Sequence, residues 1–98
     1  MKELKETKKI NKILFILAKN PEGLWIRQIA RETKMPLSTV HYYIDKVINE
    51  IVDNIGVKDN KGKYFGLRII RLKPKIRDLI EKKEMKKIYK ILKICKNN

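Results

Sequence analysis

The hydrophobic period of this chain changes twice, at Ile51 and again at Pro74, and few folds accommodate that order. Up to Ile51 the apolar residues recur at helical spacing. Ile10, Ile13, Leu14 and Leu17 stand at i, i+3, i+4 and i+7, forming one stripe on a helix expected over about Lys2 to Lys19. Asn20-Pro21-Glu22-Gly23 ends it. A short second helix is expected from Ile26 to Thr33, with Ile26, Ile29 and Ala30 inward. Lys34-Met35-Pro36 breaks the pattern, because proline disfavours helical geometry in the residue before it and tolerates the first turn of a new helix. The third helix starts there, with Val40, Ile44, Val47 and Ile51 on its inner side at i, i+4, i+7 and i+11. Tyr43 lies beside that stripe and reads as core or boundary.

Beyond Ile51 the period shortens. Ile55 and Val57 alternate with small or polar residues, Asp59-Asn60-Lys61-Gly62 has turn chemistry, and Tyr64 to Leu72 is rich in β-branched and aromatic side chains. These features predict a β-hairpin with a basic tip. Pro74 then opens a last helical stretch, about Lys75 to Ile94. Its apolar residues fall in two clusters, Ile76, Leu79, Ile80 and then Ile88, Ile91, Leu92, Cys95, on either side of the charged run Glu81 to Lys87. The fold class is mainly α with a small β-hairpin.

Size and charge bound the function. At 98 residues the chain accommodates one domain with an appended element. Its 43% hydrophobic content is too high for a disordered basic tail, so it folds. Against 11 acidic residues stand 25 Lys and Arg, a formal net charge of +14 that attracts polyanions, nucleic acid above all. The longest apolar run, Ile13 to Ala18, is too short to span a bilayer, which takes about 20 residues. A lone cysteine, Cys95, allows neither an intrachain disulfide nor a metal-ligand set, and with no signal-peptide pattern a cytoplasmic address is expected.

Glu22-Gly23-Leu24, Ile29-Ala30-Arg31-Glu32-Thr33, Pro36 and Ser38-Thr39-Val40-His41 together resemble the DNA-binding domain of winged helix-turn-helix transcriptional regulators, most closely the IclR and MarR/ArsR kind. The resemblance covers about residues 10 to 72 and implies a winged helix-turn-helix domain over residues 1–72, followed by a C-terminal helix over 73–98. It implies that Ala30 lets the second and third helices approach closely and that Gly23-Leu24 marks a short strand. Two positions depart from the pattern. Lys34 replaces the usual glycine of the turn, where a left-handed conformation costs a non-glycine residue on the order of 1 kcal/mol. Trp25 replaces the usual Ser or Thr cap of the second helix; packing is its expected role, with shielding of the turn or an indole N–H to a phosphate as alternatives.

A recognition helix presents its N-terminal side chains to base edges. Leu37, Ser38, Thr39, His41 and Tyr42 are therefore the candidate base readers, with His41 and Tyr42 equally open to a surface or structural role. No arginine stands among them, so bidentate reading of guanine is not expected, and affinity leans on phosphates and DNA shape. Arg27, Gln28, Arg31, Lys34 and Lys46 are candidates for the DNA backbone. The wing lysines Lys58, Lys61 and Lys63 are candidates for the backbone or a minor groove, unless they are ordinary turn charges.

No enzyme is expected, because a lone histidine, a lone cysteine and no paired carboxylates in an apolar setting supply neither an acid/base pair nor a nucleophile. No cofactor or metal is expected either. The expected partners are double-stranded DNA and a second copy of the chain, with no membrane. Ile76, Leu79, Ile80, Ile88, Ile91, Leu92 and Cys95 are expected to form the dimer interface; the alternative is that the last helix folds back on the first. There is no room for a separate effector domain, so any small-molecule sensing falls to that interface. The reading is a dimeric, sequence-preferring DNA-binding regulator. The alternative is a winged-helix protein-interaction or RNA-associated module of a larger assembly.

Overall fold

In the computed structural model, which describes residues 2–62 and 64–92, three helices, a three-stranded sheet and two further short helices succeed one another along the chain. Helix α1, Lys2–Lys19, buries the expected stripe of Ile10, Ile13, Leu14 and Leu17 almost completely. Its end is closed locally: the Asn20 side-chain amide donates to the Ile16 carbonyl (2.9 Å), and the Gly23 N–H donates to the Asn20 carbonyl (2.8 Å). These bonds satisfy carbonyls that the last turn of a helix leaves open.

Strand β1, Leu24–Trp25, leads directly into α2, Ile26–Thr33. Trp25 has no side-chain acceptor for the first turn, but the exchange runs the other way: its backbone N–H donates to Gln28 Oε1 (3.0 Å), which is half of a capping box. At the far end Lys34 adopts φ 59° and ψ 35°. The Met35 N–H bonds to the Ala30 carbonyl (3.1 Å) and the Lys34 N–H to that of Arg31 (3.3 Å), the paired closure of a Schellman motif made here without glycine.

Helix α3, Leu37–Tyr42, starts after Pro36 and passes into a single π-helical turn, Tyr43–Val47. The Ile48 N–H reaches the Tyr43 carbonyl five residues back (2.8 Å). This wider turn rotates the residues after it, so Ile48 joins Val40, Ile44 and Ile51 in the interior while Val47 is only half-buried. Tyr43 is core.

Strands β2, Val52–Lys58, and β3, Tyr64–Leu72, form the hairpin, and β1 adds to the other edge of β3, giving the order β1-β3-β2, antiparallel throughout. The register pairs Val52 with Leu72 and Ile55 with Ile69, then shifts between Ile55 and Val57. Alternate residues of β3, Arg68, Ile70 and Leu72, face the core. On the opposite face Trp25, Ile69 and Ile55 are in register across the three strands. Trp25 is 39% exposed there, so the expected packing of its ring into cover is corrected: the short strand holds it on the outer side of the sheet.

The terminal segment departs most from expectation. In place of one helix over about Lys75 to Ile94 there are two, α4, Pro74–Glu81, and α5, Met85–Ile91. They are separated at Lys83, whose φ is 59°. The Glu84 N–H bonds to the Leu79 carbonyl (2.8 Å) and that of Lys83 to Ile80 (2.9 Å), repeating the closure seen at Lys34. The reversal brings α5 against α1, where the Tyr89 hydroxyl donates to Asn11 Oδ1. Ile76, Ile88 and Tyr89 are buried in the chain's own core, and Leu79, Ile80 and Leu92 pack against it. The expected interface is therefore corrected for Ile76 and Ile88, which this chain covers itself. Ile91 is exposed, and Cys95 lies outside the described residues.

Candidate nucleic-acid interface

The outer face of α3 carries side chains that can meet a base edge, set among cations. Ser38 and Tyr42, four residues apart, are exposed, and Thr39 and His41 are half-buried. Leu37 is half-buried against the core, so it has only part of its surface for a thymine methyl. Tyr42 packs edge-on against the buried Tyr43 ring, with centroids 5.4 Å apart, which gives the exposed phenol a rigid base. Arg27 and Arg31 on α2, Lys34 in the turn and Lys46 in the π turn after α3 are exposed, and none pairs with a carboxylate among the described residues. Gln28 differs: its Oε1 is committed to Trp25, leaving the amide N–H groups for a phosphate.

At the hairpin tip, the Lys61 N–H donates to Asp59 Oδ1 (2.9 Å) and the Gly62 N–H to the Asp59 carbonyl (3.1 Å). The Asp59 side chain thus shapes a turn that holds exposed Lys61 outward. Lys63 lies outside the described residues, and of Lys58 only the backbone, in β2, is described.

Two residues that sequence reasoning did not single out join the wing to α3. Arg68, 6% exposed on β3, donates through Nη2 to both oxygens of Asp45 (2.9 and 3.1 Å) and through Nη1 to Asn54 Oδ1 (3.2 Å). Nη2 also stands 3.2 Å from His41 Nδ1. The guanidinium offsets the charge of Asp45, a carboxylate in the π turn that continues the reading helix and would otherwise repel phosphates. The available signal was the strand period: Arg68 shares the inward phase of Ile70 and Leu72, where an arginine needs partners.

A helix-turn-helix leading into a β-hairpin, with an exposed polar helix face among unpaired cations, defines a winged helix-turn-helix DNA-binding domain. Residues 6–50 match the family described as winged helix-turn-helix DNA-binding. The match distinguishes no IclR, MarR or ArsR subtype. No curated protein and no solved structure matches the chain. Among the described residues no group of three His, Cys, Asp or Glu could hold a metal ion, and no helix is long and apolar enough to cross a membrane.

Proposed function

We propose that the chain is a non-catalytic transcriptional regulator that prefers particular duplex sequences. It lays α3 in the major groove and holds flanking phosphates with Arg27, Arg31, Lys34 and Lys46. The hairpin tip tracks the backbone or an adjacent minor groove through Lys61. The observation that carries this reading is the set of exposed, unpaired cations around a helix whose own outer side chains, Ser38 and Tyr42, are uncharged. Charge supplies attraction, and the uncharged positions supply discrimination.

Binding-site selection from a random duplex pool, and then a salt titration on the selected site, tests it. A preferred site should emerge, with log affinity falling against log salt at a slope fitting roughly 6–10 phosphate contacts. Retained RNA binding without any duplex preference would put the RNA-associated reading in its place.

The regulator acts as a homodimer in this proposal, through a face centred on α1 to which Ile80 of the terminal clusters contributes. Phe15 on α1 is 63% exposed. Its ring lines both a groove of about 500 Å³, with Leu14, Ile80 and Met85, and one of about 310 Å³, with Ile16 and Thr33. Phe15 and Lys12 line both grooves, so a two-fold contact can seat each Phe15 beside its counterpart's groove.

A further inference from the structure

Arg68 is the one buried charged side chain among the described residues, and its donors are allotted in a way that bears on His41. Nη2 has two hydrogens, one directed to the Asp45 carboxylate and one to His41 Nδ1. A guanidinium has no acceptor, so in the Arg68–His41 contact the imidazole accepts. Nδ1 is thereby the ring nitrogen without a hydrogen, and the neutral ring carries its proton on Nε2. Nε2 makes no hydrogen bond among the described residues, and no buried side-chain nitrogen or oxygen there lacks a partner, so Nε2 is open to solvent.

We infer that Arg68 is a positioning residue for base recognition: it fixes His41 as a donor through Nε2–H, so the base beneath His41 must present an acceptor in the major groove. Those acceptors are N7 and O6 of guanine, N7 of adenine and O4 of thymine. The opposite tautomer would accept instead and would favour the amino groups of cytosine and adenine. The wing strand thus sets which half of the donor/acceptor code the recognition helix reads at this position. The inference rests on the DNA-binding reading proposed above.

Two measurements test it. In the free protein at pH 8, long-range ¹H–¹⁵N correlation of the His41 ring should show the proton on Nε2, and Arg68→Met should shift the ring towards the other tautomer. A wild-type ring protonated on Nδ1 overturns the inference without any DNA present. On the selected duplex, analogues lacking N7, O6 or O4 are then introduced one position at a time. One position should lose about three- to tenfold in affinity with the wild type and nothing with His41→Ala. If the protein discriminates among duplexes but shows no such position, this inference fails while the regulator reading stands. If it discriminates among none, both fail.

Discussion

A Cβ built on Gly23 would stand 2.5 Å from Cγ2 of Ile69 and 3.1 Å from the Ile70 carbonyl oxygen, while the backbone there has φ 101°. Both constraints call for glycine where β1 meets β3. Gly23→Ala should cost about 1–2 kcal/mol for the left-handed backbone and about 1–3 more for the crowding against β3. Denaturant unfolding should show a lower midpoint with an unchanged slope. Gly62, also at positive φ, has open space around it and should tolerate alanine better.

Because Ile88 is fully buried in the core shared with α1, the terminal segment is part of the fold that carries the reading helix. Ile88→Ala should destabilise by about 2–5 kcal/mol, read as a shifted unfolding midpoint. A chain cut before Pro74 should lose the cooperative unfolding transition, since it loses Ile76, Ile88 and Tyr89 together. A truncated chain of undiminished stability would contradict the packing of α5 on α1.

Legibility in the sequence divides along physical lines. The α1 stripe was readable because one face, one period and one set of neighbours coincide. The left-handed turn at Lys34 was readable only through the family pattern. The equivalent turn at Lys83 was not, because lysine carries no turn signal and the charged run around it suits a solvated helix equally well. The π turn escaped because a bond from Ile48 to Tyr43 depends on packing, and it moved Ile48 inward ahead of Val47. At the site, Ser38 and Tyr42 were legible by position. Arg68 was legible in strand phase but not in partner, since Asp45 and His41 come from an element more than twenty residues away.

Tyr89 makes stability depend on alkaline pH. Burial raises its pKa above the usual phenol value of 10.0. The folded state therefore keeps its proton where the unfolded chain has begun to lose it. Its contribution is full below about pH 10 and falls as pH rises through the raised folded value. Thermal unfolding compared between pH 8 and pH 11 should show a smaller loss for Tyr89→Phe than for the wild type, whatever the lysines contribute to both.

Phosphate and base contacts separate by their response to salt. Replacing Arg27 or Arg31 by alanine should weaken all duplexes alike and lower the salt slope by about 1 for each contact removed. Ser38→Ala combined with Tyr42→Ala should instead weaken the selected site alone and leave the slope unchanged. Filter binding or fluorescence anisotropy across a salt series, on selected and random duplexes, reads both.

The proposed dimer face places salt in the opposite role. Lys8, Lys12 and Lys83 rim the larger groove beside Phe15, and Lys12, Lys34 and Glu32 the smaller one, so two copies bring rims with an excess of lysine together on chains that each carry a net +14. Screening should therefore strengthen association of the free protein while it weakens DNA binding. Sedimentation at about 0.1 M and 1 M salt should show the dimer favoured at the higher concentration. Phe15→Lys should leave folding within about 0.5 kcal/mol, because the side chain is largely exposed, and should keep the chain monomeric in both conditions. A dimer that persists in Phe15→Lys would move the interface away from α1.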